Sequence, residues 1–488
     1  MRIAMLCNAF PHDLSSDPVM PAHSNLARAL KALGHEVMVC AFVDPFSEGA
    51  LDGVFDVDGI AVHQISYKEQ ERYTWSQGLN LPTYTIIANQ AHLFHSRYAR
   101  LIDDFKPDVI DCQDYNALAF FFAAEHKYPL VIHSYGPLGY LMRTNQIPGA
   151  TLLDTQLVES LEYSTIASAD AVIACSKELA QRTSTISGVA LADIDIIRVP
   201  LTLPGEVPRR SENRTAQYPE LLYFGRVETQ KGIDILVESL PSVREVYPDV
   251  QLSLGGRENP ADIVGIRQRI NELNLDKNIN FLGYLSRQQI KQRVVDADLC
   301  VFPSRYETAG YACLESVSYG GAAVATAVGG LPEYHEHGKS VWLVQPNSPS
   351  ELAAGICRVI SDEQLRKKLK AEGREHVLAV CKPDEIAKQT IAVYQKAAEK
   401  FASGGSRNPA FQMLTKTVLS LIDTRQPLIS RQSSAPTVQT IDMISNSVSS
   451  NLSRVWKEGY DAGMEEGLRR GRGSLRQLLV SVGRKFFN

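Results

Sequence analysis

A chain of 488 residues exceeds what one hydrophobic core usually fills, so two main domains with an appendage are expected. With 44% hydrophobic and 22% charged residues the composition is that of a soluble globular protein, and the net charge of −5 argues against general nucleic-acid binding. The strongest apolar run, around Leu118 to Ala124, is far short of the roughly 18 residues that suggest a membrane span.

Taken in order, the apolar residues 3–10 break at Pro11-His12-Asp13 with no small-residue cleavage site, which reads as a first strand rather than a signal peptide. The pattern then predicts a strand over Ile3 to Ala9, an amphipathic helix over Ala22 to Leu33 ended by Gly34, and a strand over Glu36 to Val43. Val54 to Leu81 is aromatic-rich and poorly periodic. Beyond it come a helix Ile86 to Phe105, a strand Asp108 to Cys112, a helix Ala117 to Glu125 and a strand Leu130 to His133. A long helix over Leu152 to Ala169, the strand Ala171 to Cys175, a short helix and the strand Ile194 to Val199 finish this half. Strand–helix alternation with near-continuous apolar strands means a parallel sheet covered on both faces.

Pro200, Pro204, Pro208 and a polar run to Pro219 mark a linker, after which the alternation restarts. Strands are expected at Leu221 to Phe224, Val250 to Leu254, Ile279 to Leu282, Leu299 to Phe302, Ala322 to Thr326 and Val341 to Val344, with a helix Ile233 to Tyr247 and others between and beyond, to about Lys400. The fold expected is therefore two doubly wound Rossmann-like α/β domains, 1–200 and 219–400, joined by a linker 201–218 and facing across a cleft. Residues 401–450 read as a Ser/Thr-rich flexible linker around one short apolar helix, Met413 to Ile422, and 451–488 as a basic helical tail. Residues 401–488 hold 12 Lys/Arg against 6 Asp/Glu, about +6, leaving about −11 on residues 1–400. Such a tail suits anionic lipid, a protein partner or the acidic body itself, and equally has no assigned task. The eight cysteines form no CxxC pair and fall largely on strands, as buried reduced thiols of a cytoplasmic protein would; they imply no metal cluster.

Four constellations carry chemistry. After the strand Leu221 to Phe224, Gly225-Arg226 and Lys231-Gly232 place two cations five residues apart at a helix entry, a match for the two phosphates of a diphosphate; a solvated loop charge pair fits about as well. In Leu299 to Glu315 a strand, a polar loop and a helix starting near Gly310 present Glu307 in the loop and Glu315 along the helix. Paired carboxylates serve acid–base work only at a defined separation, whereas as acceptors for sugar hydroxyls they suit a phosphate-binding turn; Glu is also common on surfaces. Val328-Gly329-Gly330-Leu331-Pro332-Glu333 follows the next strand, with glycines that permit close backbone approach to a ligand and Pro332 suited to a first helical turn, or simply a βα turn. His133, before Ser134-Tyr135-Gly136-Pro137, stands at a strand tip, where it would face the cleft or serve as a structural histidine. Neither GxGxxG after the first strand nor GxxxxGK[ST] occurs, so a nicotinamide dehydrogenase lacks its fingerprint.

Together with Gly34-His35-Glu36-Val37 and Ala169-Asp170-Ala171-Val172-Ile173-Ala174-Cys175-Ser176, these motifs resemble the retaining nucleotide-sugar glycosyltransferases of family 4, also called glycosyl transferases group 1, which have the GT-B fold. The resemblance spans roughly residues 1–400 and implies a metal-independent enzyme with no cofactor beyond its nucleotide-diphosphate sugar. It would give Arg226 and Lys231 the donor diphosphate, and Glu307 the transferred sugar, with the backbone amides of Ala309, Gly310 and Tyr311; Glu315 would take the ribose and His133 would lie near the sugar. Glu307 is then a positioning residue, the departing phosphate helping to deprotonate the acceptor. Three stretches depart from the family pattern: Pro18-Val19-Met20-Pro21-Ala22-His23 replaces its Gly-Gly loop, Val199-Pro200-Leu201-Thr202 its Asn-Gly, and Ala309-Gly310-Tyr311 its Phe-Gly. The first two bear on acceptor binding.

The leading expectation is a cytoplasmic retaining glycosyltransferase, peripheral to the inner membrane face if the basic tail docks there, acting on a glycan, lipid-linked or small-molecule acceptor. The other readings are a catalytically silent nucleotide-sugar-binding scaffold with a partner-recruiting tail, and a nucleotide-sugar epimerase on the same fold.

Overall fold

The computed structural model describes residues 1–10, 21–42, 52–65, 82–143, 151–202, 206–208, 210, 219–404, 411, 415 and 418. The stretch Pro18–Met20, much of the linker and nearly all of the tail lie outside the described residues.

The first domain is an eight-stranded sheet of β1 (Arg2–Cys7), β2 (Glu36–Phe42), β3 (Gly53–Val57), β4 (Ile60–Ile65), β5 (Val109–Gln113), β6 (Leu130–Ser134), β7 (Ala171–Ala174) and β8 (Ile194–Ile196), ordered β3-β4-β2-β1-β5-β6-β7-β8. All neighbours are parallel except β3 and β4. The central strands are buried along their whole length on both faces, as their apolar runs require. The second domain is a parallel six-stranded sheet of β9 (Glu220–Phe224), β10 (Gln251–Gly255), β11 (Ile279–Gly283), β12 (Leu299–Phe302), β13 (Ala323–Thr326) and β14 (Trp342–Val344), ordered β11-β10-β9-β12-β13-β14. The fold class expected from the alternation is therefore present. Each sheet reverses its winding direction at one place, between β1 and β5 and between β9 and β12, and such a switch point leaves a crevice at the carboxyl ends of the two strands.

Two parts differ from the sequence reading. The stretch thought aperiodic holds the β3–β4 hairpin, in register Val57↔Ile60 to Gly53↔Gln64. Its turn, Asp58-Gly59, has φ of 56° and 78°, the left-handed pair a two-residue hairpin needs, and the Gly59 amide donates to Asp56 Oδ1 at 3.0 Å. The last helix, Pro383–Ala402, counted with the second domain from its position, instead crosses back to the first. Ile386, Ala387, Val393, Tyr394 and Ala397 share one apolar cluster with Leu26, Leu30 and Val39 of the first domain. Their spacing is one face of a helix, which the second sheet leaves uncovered and the first sheet covers. Where the chain passes between domains, the Leu201 amide donates to the Cys381 carbonyl at 2.9 Å, joining the outward and return crossings.

All eight cysteines are free thiols and seven are buried. Phe411 and Val418 are buried, the Phe411 ring 5.1 Å from that of Phe120 in the first domain, and Thr415 Oγ1 donates to the Phe411 carbonyl at 2.9 Å. No helix among the described residues is long and apolar enough to cross a membrane.

Candidate active site

The loops after β9 and β12, the two strands at the second domain's switch point, carry the residues singled out above. After β9 the turn is shaped by glycine: Gly225 has φ 140°, its amide donates to the Gly255 carbonyl at 2.9 Å, and Tyr223 Oη donates to the Arg226 carbonyl at 2.6 Å. Arg226 leaves this turn largely exposed and pairs with the buried Glu228 at 3.1 Å. A turn of 3-10 helix, Thr229–Lys231, then brings Lys231 to Gly232, whose φ of 72° starts the helix Ile233–Val246. A Cβ at Gly232 would stand 1.9 Å from the Pro303 carbonyl oxygen, so only glycine lets this loop lie on the end of β12.

That approach puts Lys231 Nζ 2.8 Å from Glu307 Oε1, which also accepts from Ser304 Oγ at 2.8 Å. Arg305 fastens the same two loops together, donating to both carboxylate oxygens of Asp234 at 2.6 Å while its amide donates to the Gln230 carbonyl at 3.0 Å. Cation and carboxylate from different strands thus converge over the switch point. The helix Tyr311–Ser318 begins beyond Gly310 (φ 72°), and its first-turn amides, with that of Gly310, have no intrahelical acceptor. Glu315 sits on that helix but is buried, facing Arg287 Nη2 at 3.8 Å; burial raises its pKa and Arg287 opposes the rise. Glu307 and Glu315 therefore occupy different environments, one paired over the crevice and one inside the helix packing.

Gly329-Gly330 does approach backbone closely, but the backbone is that of the Glu307 loop. Added Cβ atoms would stand 1.8 Å from the Glu307 carbonyl oxygen and 2.0 Å from that of Thr308, and the Gly330 amide donates to the Glu307 carbonyl at 3.0 Å. Glu333 and Tyr334 then reach the first domain. The Glu333 carboxylate accepts from the Lys177 and Glu178 amides at 2.8 and 3.0 Å, capping a helix of the other domain. Tyr334 Oη donates to the Cys175 carbonyl at 2.7 Å and accepts from the Val199 amide at 2.9 Å. The expected ligand-facing turn is built as a domain bridge.

His133 is likewise turned inward. It is 4% exposed, with Nε2 2.9 Å from Asp111 Oδ2. Asp111, in the middle of β5, also meets His23 Nε2 at 2.6 Å and the Tyr394 hydroxyl from the last helix. Burial alone would raise the pKa of Asp111, but the two imidazoles hold it well below the usual carboxylate range. The histidine expected at the cleft is here part of a buried cluster that ties the returning helix to β5. Asp111 and His23 were missed in the sequence, although a carboxylate inside the apolar run Val109-Ile110-Asp111-Cys112 is itself a sign of buried partners. Beside the crevice, the β5 end carries Asn116 and Ala117 with φ of 67° and 48°; Asn8, Gln113 and Asn116 interlock through their carboxamides.

Two α/β sheets with opposed switch points, a bridging turn and a returning terminal helix define a GT-B transferase architecture. Residues 24–200 match the family described as Glycosyltransferase Family 4, and residues 206–376 match Glycosyl transferases group 1. The chain belongs to these glycosyltransferases. It is 25% identical over 420 residues to a glycogen synthase of Mycobacterium tuberculosis, covering 84% of this chain and 97% of that one. Its fold is that of sucrose-phosphate synthase from Thermosynechococcus elongatus (TM-score 0.64, 21% identity, 83% of this chain and 100% of that one). It is also similar in fold to Anabaena HepE in complex with UDP-glucose (TM-score 0.57, 18% identity, 80% and 99% of the two chains).

Proposed function

We propose that the protein transfers a sugar from a nucleoside-diphosphate sugar to an acceptor hydroxyl with retention of configuration and without a metal. The observation that carries this reading is the convergence of Lys231 on Glu307 at 2.8 Å over the switch point, with Arg226 on the same wall. A diphosphate entering the crevice takes Lys231 from Glu307 and Arg226 from Glu228. The freed Glu307 accepts from the sugar hydroxyls, and the first-turn amides of Gly310 and Tyr311 complete the phosphate cradle. Charge develops on the departing diphosphate, so fixed cations there stabilise the transition state more than the ground state. Glu315, already desolvated beside Arg287, accepts from the ribose. The similarity to HepE, solved with UDP-glucose, supports a diphosphate-sugar donor.

In this reading no side chain is the base: the departing phosphate deprotonates the acceptor on the face it leaves. His133 acts behind the site by holding Asp111 rather than by touching the sugar. The acceptor enters from the first domain, where Tyr115, just past the β5 end, lies within electrostatic reach of Arg226.

The test is thermal stabilisation by UDP, GDP and ADP, followed by turnover of UDP-glucose, GDP-mannose and ADP-glucose and NMR of the product anomer. One diphosphate should raise the melting temperature, and Arg226→Ala and Lys231→Ala should each cut turnover by about 100-fold, the usual loss on removing one transition-state donor. An Arg226→Ala enzyme that turns over unchanged, or an inverted product, overturns the proposal.

A further inference from the structure

The first-domain helix Lys177–Ser187, capped by Ser176 and by Glu333 from the second domain, carries a further contact one turn on. Arg182 packs against two neighbouring rings, its Cζ 4.1 Å from the centroid of Tyr140 and 4.4 Å from that of Tyr306. Tyr140 belongs to the first domain, on the helix Leu138–Arg143, whereas Tyr306 is the residue before Glu307. The rings themselves stand 5.7 Å apart. A guanidinium set in the angle between two tilted tyrosines is attracted by both ring quadrupoles, a contact lysine does not reproduce. The Arg182 side chain is only 18% exposed and is tethered by Glu178 one turn back, so the contact is little screened. Among the described residues the buried Tyr306 hydroxyl has no hydrogen-bond partner, which leaves ring packing to place this side chain.

On the other side of Glu307, Thr308 also meets the first domain. Its side chain lies beside the Cys175 thiol, whose burial-raised pKa it lowers, and its methyl would lie 3.5 Å from a Cβ at Gly136. Glu307 is therefore flanked in sequence by two residues that rest on the opposite domain, while its own carboxylate faces Lys231 of its own domain. In this docked arrangement the loop rests on the helix Lys177–Ser187 on one side of Glu307 and on the β7 end on the other.

We infer that Arg182 is a positioning residue for the transfer reaction: through Tyr306 it aligns the Glu307 loop, so that the donor-side carboxylate is set by docking of the acceptor-side domain. The inference rests on the donor-site reading of Glu307 given above. It makes closure and alignment one event, and limits attack on the donor by water while the domains are apart.

Two measurements on the full-length chain test it. In amide deuterium exchange without ligand, Arg182→Ala should speed exchange in residues 303–310 by at least about fivefold, with exchange in the β-strands and the melting temperature unchanged, since local opening is independent of global stability. With the nucleotide sugar that is turned over, Arg182→Ala should lower kcat about tenfold, equivalent to about 1.4 kcal/mol, with the donor KM moving less than about twofold. Arg182→Lys should lose nearly as much. In a Glu307→Gln background the same Arg182→Ala change should cost less than about twofold more, because residues acting through one group are not additive. Unchanged exchange at 303–310, or a full tenfold loss that persists in Glu307→Gln, overturns the inference. The donor-site reading stands or falls separately, on Arg226→Ala and nucleotide stabilisation; the exchange measurement needs neither.

Discussion

His335 shows how a single buried group sets a pH dependence. It is 3% exposed, and neither ring nitrogen has a hydrogen-bond partner among the described residues. Burial, with His376 nearby, lowers its pKa from an ordinary 6.5 to about 3. The unfolded chain therefore binds this proton near pH 6.5 while the folded chain refuses it until about pH 3. In that window the unfolded state holds more protons, so stability rises with pH; the contribution is complete above 6.5 and is lost as pH falls toward 3. The slope approaches about 1.4 kcal/mol per pH unit for one such group. His335→Leu should flatten the urea-derived stability curve between about pH 6 and 4 by up to this slope. A variant curve parallel to the native one would assign the acid sensitivity elsewhere.

At the scale of loops and elements, the glycines of the bridging turn serve packing before binding. Gly329 has φ 51°, and a Cβ there would meet the Glu307 carbonyl oxygen at 1.8 Å. Gly329→Ala should therefore push the Glu307 loop off the turn, costing about 1–3 kcal/mol in strain and weakening nucleotide stabilisation more than Arg226→Lys does. Equal nucleotide stabilisation in Gly329→Ala and native protein would separate the turn from the site. Much of this architecture was legible. Strand β12 was read as Leu299–Phe302 without error, because four apolar residues closed by Pro303-Ser304 leave little alternative. Arg226, Lys231 and Glu307 could be picked out together because charges that follow strand ends in a βα pattern fall on one rim, where Lys231 and Glu307 meet. The β3–β4 hairpin was missed although Asp58-Gly59 is a strong turn signal, since exposed Val54 and Asp56 alternate with more buried neighbours in a stretch too short for periodicity to stand out. The roles of Glu333, Arg182 and Asp111 were not legible. Each is fixed by a partner at least 88 positions away or in the other domain, and spacing along the chain carries no trace of such pairings.

For the whole molecule, the returning helix decides whether the two halves are separable. Ile386, Ala387, Val393, Tyr394 and Ala397 are all buried against the first domain, and Tyr394 brings its hydroxyl to the buried Asp111. Burying the larger of these side chains is worth about 1.5–3 kcal/mol each, so the helix contributes on the order of 5–10 kcal/mol. That is comparable to the entire stability of a typical domain. Removing it also takes from the buried Asp111 one of the three groups that meet it, leaving His23 and His133, and opens the underside of a sheet to water. The first domain is thus completed by the last described helix. A chain ending at residue 382 should retain a cooperative calorimetric transition for the second domain, whose sheet and remaining helices are intact, and lose that of the first. The chain ending at residue 404 should show both. Supplying residues 383–404 as a separate peptide should restore part of the first transition in proportion to its concentration, as a ligand binding only the folded state does. If the shorter chain melts with both transitions at the temperatures of the longer one, the terminal helix is a covering rather than a structural member of the first domain. The Asp111–Tyr394 contact would then have to be assigned to holding the two domains at a fixed angle instead.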